Sequence, residues 1–149
     1  MSKTTDDFLE YINESDMRVF ETVSSKRKAQ IVYKNFQNYE FNKRKMELAK
    51  REEEKDAYAL HVDRFWIIAS KQLNSLSEEE LTEYLKLVQS EMSKSMKMSK
   101  TNEAMLQVKL RFGTIIRRLP SNLTQEQLTI KSEMEGVLSS YFVKIENEM

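Results

Sequence analysis

His61 is the only histidine in a 149-residue chain that has no cysteine. As a general base it would need a hydrogen-bonded partner inside a cleft. As a metal ligand it would need companions, and no Glu-x-x-His repeat of the di-iron bundle type is present. Serines are plentiful, but one histidine on an apolar helix stripe near Tyr58 and Phe65 is a poor base for a Ser-His-Asp site. Without cysteine there is no disulfide frame, thiolate nucleophile or zinc-thiolate centre. The acidic runs Glu52-Glu53-Glu54 and Glu78-Glu79-Glu80 lack the glycine-bearing turn that gathers calcium ligands. They suit first helical turns, where carboxylates favour the helix dipole. Gly113 and Gly136 stand too far apart to cradle a phosphate. The expectation is therefore no enzyme: no catalytic, cofactor-binding or metal-binding residues, and a packed, hydrogen-bonded His61.

The constellation with most binding chemistry lies between residues 26 and 51. Lys26, Arg27, Lys28, Lys34, Lys43, Arg44, Lys45, Lys50 and Arg51 face only Glu40 and Glu47 there, nine positive charges against two. Tyr33, Phe36, Tyr39 and Phe41 interleave with them. Basic clusters neutralise phosphates, and aromatic rings stack bases. Yet Tyr33 and Phe36 sit on the stripe that packs a core, and a ring cannot do both. The alternative is a solvated face, balanced by Asp6, Asp7, Glu10, Glu14, Asp16 and Glu21 if an N-terminal arm folds back. These nine cations are the candidate partner-binding residues.

The elements that must position them are helices. Thr5, ahead of Asp6, Asp7, Phe8, Leu9, Tyr11 and Ile12, reads as the cap of a short helix. Ser15 reads as the cap of a second, with Met17, Val19, Phe20 and Val23; Ser24 or Ser25 caps the next. From Lys26 to Leu73 there is no glycine or proline. Ala29, Val32, Tyr33 and Phe36 share one ideal helix face with Tyr58, Val62, Phe65, Ile68 and Ala69. Unbroken, that helix of about 45–50 residues would reach about 70 Å at 1.5 Å per residue. Its middle is charged at helical spacing, pairing Glu40 with Arg44, Lys43 with Glu47, Glu47 with Arg51 and Lys50 with Glu54. A continuous charged connector is expected, with a break near Asn38 to Asn42 as the alternative. Ser77 with Glu80 and Thr124 with Gln127 form capping boxes, and Leu76 sits where a staple would. A turn falls at Ser99 to Asn102, and Pro120 ends another helix.

The expected fold is all-α: an antiparallel helical bundle with one long helix and a short two-helix N-terminal arm. The expected organisation is a single unit, with arm and basic helix start at 1–41, a connector at 42–56 and a four-helix bundle at 57–149. A shift of 47 positions aligns Ala57, Arg64, Phe65, Ile68, Leu76, Glu79 and Leu81 with Ala104, Arg111, Phe112, Ile115, Leu123, Glu126 and Leu128. That echo reads as two helical hairpins, by duplication or by shared cap chemistry. Gly113 and Gly136 fall inside helices, where close helix approach would explain them. Met92, Met96, Met98 and Met105 read as core filling rather than an adaptable groove.

Formal net charge is zero, so no global field draws the protein to nucleic acid or membrane. The start lacks a signal-peptide pattern, and the longest apolar run, Phe65 to Ala69, is far too short to span a bilayer. A cytoplasmic location is expected. The composition suits a non-enzymatic helical adaptor or inhibitor that docks on a larger protein or self-assembles. Nucleic-acid binding through Lys26 to Arg51 is the alternative, and a viral assembly or scaffold component a further one. The small, Lys/Asn/Glu-rich chain suits a phage or mobile-element protein. A protein partner or a homo-oligomer is expected, with no membrane and no small molecule.

Overall fold

A computed structural model describes residues 13–148, and side chains for 13–141. The described residues are helical, with no strand, as the patterning predicts. The helices are α1 (Met17–Phe20), α2 (Ser25–Leu48), α3 (Glu52–Ser75), α4 (Glu78–Met98), α5 (Asn102–Arg117) and α6 (Gln125–Glu148). The first expected arm helix lies outside the described residues. The chain divides into two compact units, 1–76 and 77–149.

In the first unit α2 and α3, each 24 residues or about 36 Å, pack against each other as a hairpin. The continuous long helix is therefore corrected, and so is its alternative, a break near Asn38 to Asn42. The chain reverses at Ala49-Lys50-Arg51, where Ala49 (φ −65°, ψ 136°) and Arg51 (φ −98°, ψ 138°) are extended. Neither glycine nor proline is needed, because none of the described residues has a positive φ. The physical reason is burial. A straight rod would leave both halves of its apolar stripe in water, whereas the reversal seals Ala29, Val32 and Phe36 together with Phe65, Ala69 and Leu73. The reversal falls where charge has replaced the stripe. Residues 50–57 are all exposed, so the loss of apolar character there marks a hairpin tip rather than a connector.

Ser24 caps α2, its hydroxyl accepting from the Arg27 N–H at 3.2 Å. Asp16, not Ser15, caps α1. Ser15 is buried instead, in a closed polar cluster. Asn35 Nδ2 donates to Ser15 Oγ (2.9 Å) and Gln72 Oε1 (2.8 Å). Gln72 Nε2 donates to the Ser15 carbonyl (3.1 Å), and the Ser15 hydroxyl reaches Asn35 Oδ1 (3.2 Å). Asn35 and Gln72 are wholly enclosed, so these bonds offset their desolvation and tie residue 15 to both hairpin helices.

The second unit packs α4, α5 and α6 together. Its core draws on Leu81, Tyr84, Leu85, Val88 and Met92, on Met105, Val108, Phe112 and Ile115, and on Ile130, Met134, Leu138 and Tyr141. Both capping boxes form as expected, at Ser77/Glu80 and Thr124/Gln127. Gln127 is buried and does more: its Nε2 donates to the Glu78 carbonyl (2.9 Å) and Thr82 Oγ1 (3.1 Å), fastening the start of α6 to the start of α4. The grouping of α3 with the C-terminal helices does not hold, since α3 pairs with α2. The two halves of the 47-residue echo do share helix starts, Glu78 and Gln125, but its first half is divided between units.

Candidate interaction surface

The nine candidate cations do not form one patch. Lys26, Arg27 and Lys28 occupy the first turn of α2, Lys34 lies midway, and Lys43, Arg44, Lys45, Lys50 and Arg51 surround the tip. From Lys26 to Lys43 is about 26 Å along the axis. At the base, Arg27 is half-buried; it forms an ion pair with Glu14 and donates to Gln30 Oε1 at 3.2 Å. Lys28 lies over the Phe20 ring, 5.7 Å from its centroid. One N-terminal acid thus does balance the basic helix. Asp16 instead pairs with Arg18 (3.3 Å), whose hydrogen-bonding side chain holds the Asp16 carboxyl below its ordinary value. Asp6, Asp7 and Glu10 lie outside the described residues.

At the tip, Lys43 lies over Tyr39 (5.8 Å) and Lys45 over Phe41 (5.3 Å). Lys45, Lys50 and Arg51 are exposed. The reversal removes the expected pairs of Glu47 with Arg51 and Lys50 with Glu54. Glu40 Oε1 is enclosed without a hydrogen-bond partner. The aromatics are mostly engaged. Tyr33 and Phe36 are buried, and Phe36 and Tyr39 pack on Trp66 at ring distances of 5.8 and 4.9 Å. Phe41 alone of the four is exposed, and Lys45 lies over its ring.

Apart from Phe41, the residues that stand out in the fold were not among those the sequence patterns singled out. Phe41 (59% exposed) and Leu48 (65%) lie seven residues apart, hence on one side of α2. Leu60 (73%) and Ile67 (51%) repeat that spacing on α3. Stepping 100° per residue places Leu60 and Ile67 on the far side of α3 from Phe65, Ala69 and Leu73. The same outer face carries Asp56, Asp63, Arg64 and Lys71, all exposed, and none forms an ion pair among the described residues. The seven-residue spacing of Leu60 and Ile67, opposite the buried stripe, is the signal in the sequence that marks this second apolar side.

Elsewhere, His61 is half-buried on α3. Glu52, Glu53 and Glu54 are exposed in the first turn of α3. In the second unit, an open cleft of about 290 Å³ is lined by Gly113, Ile116, Arg117, Glu135, Leu138 and Ser139. Gly113 seats the Arg117 guanidinium, since a Cβ there would lie 3.1 Å from Nη1. Gly136 faces open space, so close helix approach does not explain it. Leu106, Leu128 and Val137 are exposed, whereas Met105 and Val108 are buried. Met92 and Met105 are buried, whereas Met98 is exposed. No described helix is long and apolar enough to cross a membrane.

Compared with models of known protein families, with curated proteins and with solved structures, the chain matches none.

Proposed function

We propose that this protein is a non-catalytic helical interaction module that docks other protein chains on the outer faces of the α2–α3 hairpin. The observation that carries this reading is the exposure of Phe41, Leu48, Leu60 and Ile67 on a hairpin whose inner face is sealed. Four large apolar side chains held in water at regular spacing cost hydration free energy that a partner would recover. The charged residues between them keep the free protein soluble and give the contact register.

Nucleic-acid binding has weaker support. The basic set is split along α2, Arg27 is already paired, and most of the interleaved aromatics are packed. The test is affinity capture from the native cell with the immobilised full chain, against a Phe41→Glu/Leu60→Glu variant of equal helicity. The expected result is a protein that co-purifies with the parent chain and is lost with the variant. Equal capture by both removes the reading. Recovery of nuclease-sensitive material that 0.5 M salt releases, at about the level expected for counterion-driven binding, replaces it with the nucleic-acid one.

A further inference from the structure

The outer side of α2 carries charge of one sign. Stepping about 100° per residue from Phe41 puts Lys45 and Leu48 within about 40° of it, and Arg44 about 60° away. The acids of the same stretch, Glu40 and Glu47, step about 100–120° away. Between residues 37 and 48 the outer stripe of α2 thus holds cations and no carboxylate, and Lys50 and Arg51 follow it at the tip. Phe41, Lys45, Leu48, Lys50 and Arg51 are exposed. Lys45, Lys50 and Arg51 form no ion pair among the described residues. The outer side of α3 is mixed by contrast, with Asp56 and Asp63 beside Arg64 and Lys71.

We infer that the outer side of α2 binds an acidic amphipathic helix of a partner protein. Phe41 and Leu48 stand about 10.5 Å apart along the axis, the spacing at which a second helix presents apolar anchors two turns apart. Cations between and beyond these two anchors match a helix whose own anchors are flanked by carboxylates. Lys45, 5.3 Å from the Phe41 ring centroid, sets a cation beside the first anchor, and Lys50 and Arg51 lie just past the second. The width of the stripe selects among anions. Glu47, Glu52, Glu53 and Glu54 are exposed around the same tip, so an anionic bilayer or a nucleic-acid duplex laid over the tip meets those carboxylates as well. A helix about 10 Å across meets the stripe alone. A single nucleic-acid strand fits the width, but it finds one ring to stack on and leaves Leu48 in water.

This inference rests on the docking reading above and names the chemistry of its partner. The contact is one helix wide, so its strength belongs to the weak, reversible class. The test is NMR titration of the isotope-labelled full chain with a synthetic helical peptide of about 20 residues. The peptide bears leucine at every seventh position, glutamates flanking each leucine, and alanine and glutamine elsewhere. Saturable amide shifts are expected in residues 37–51 at micromolar to sub-millimolar peptide, and none around Leu60 and Ile67. Lys45→Glu/Arg51→Glu weakens the binding about tenfold or more, and Phe41→Ala/Leu48→Ala does the same. Leu60→Glu leaves it within about twofold. All five positions are exposed, so an unchanged spectrum outside the stripe verifies the fold of each variant. A peptide with lysine in place of glutamate does not bind.

No saturable binding at about 1 mM peptide, equal binding of the lysine peptide, or shifts centred on α3 overturns the inference. So does tighter binding of single-stranded oligo(dT) or of phosphatidylserine vesicles, which reassigns the stripe to nucleic acid or to a membrane surface. The capture experiment fails separately. A captured protein whose binding neither Lys45→Glu/Arg51→Glu nor the acidic peptide weakens keeps the docking reading and removes this one.

Discussion

The hairpin unit and the C-terminal unit solve the same problem differently. In the C-terminal unit each helix start is written in the residues: Ser77 with Glu80, Thr101, and Thr124 with Gln127 all cap as their types dictate. Three helices then enclose an apolar core on three sides. In the hairpin unit the reversal at Ala49 to Arg51 carries no glycine, proline or side-chain cap. Among the described residues, these two helices bury the faces they turn to each other, plus what residue 15 and α1 cover. The polar cluster of Ser15, Asn35 and Gln72 supplies the remaining specificity, and Phe41, Leu48, Leu60 and Ile67 stay outside. The lesson is that capped helices are placed by local chemistry, whereas the hairpin is placed by burial and a few polar bonds; large apolar side chains stay in water in both units, Leu60 in the hairpin and Met98 in the C-terminal unit among them.

That contrast can be broken most forcefully at the hairpin core. Phe36 is fully buried, and Phe36→Ala should destabilise by about 3–5 kcal/mol through lost burial and a cavity. Hydrogen exchange should show the protection lost in residues 25–75 and kept in α4 to α6. Uniform loss across both units would show that they do not differ in this way.

The next effect probes the polar cluster. Asn35→Leu removes the donor to Ser15 Oγ and Gln72 Oε1, leaving the buried glutamine oxygen unsatisfied at a cost of about 1–3 kcal/mol. Asn35→Leu/Gln72→Leu should recover part of that loss in urea unfolding, because removing both partners is less costly than stranding one. A double variant weaker than the sum of the singles would assign the cluster a positive contribution instead.

A smaller effect of opposite sign is expected in the C-terminal unit. Gly136 lies in α6 with nothing within 4 Å of an added Cβ. Gly136→Ala should therefore stabilise by about 0.5–1 kcal/mol through backbone entropy, read as a raised melting temperature. A loss of stability would point to a use for the bare backbone that the monomer does not show.

The smallest concerns Asp16, whose carboxyl is held below its ordinary 3.8 by the Arg18 side-chain hydrogen bond and the Arg18 backbone N–H. A depressed carboxyl pKa adds stability above the ordinary value, and that contribution is lost as pH falls through the depressed one. The pair is fully exposed, so the effect should be visible by NMR titration rather than in global stability. Arg18→Ala should move the Asp16 midpoint up toward 3.8; an unmoved midpoint would discard the pairing.

Helical class, the helix starts at Ser24, Ser77 and Thr124, and the buried sets on α4 were determined by local chemistry, so the residues alone declared them. Caps and apolar periodicity act within a few residues, and no distant contact is needed to read them. The place of the reversal was different. Lys43-Arg44-Lys45 and Lys50-Arg51, followed at once by Glu52-Glu53-Glu54, carry the sign pattern of one helix ending and another beginning, but the same charges also make sound i,i+4 pairs in an unbroken helix. Local terms of a few tenths of a kcal/mol cannot choose between those outcomes. Burial of Phe36 and Phe65 in the same core, about 2–3 kcal/mol for each such side chain, can and does.

The candidate surface followed from that choice. The predicted cations were in the residues, but their separation into base and tip, and the ion pair of Arg27 with Glu14, came from the hairpin. Once α3 was an independent helix turned back on α2, one of its sides became inner, and Leu60 and Ile67 were left on the other. Which apolar residues face water is a property of how helices pair, because exposure depends on what packs alongside, and that is settled between residues far apart in the chain.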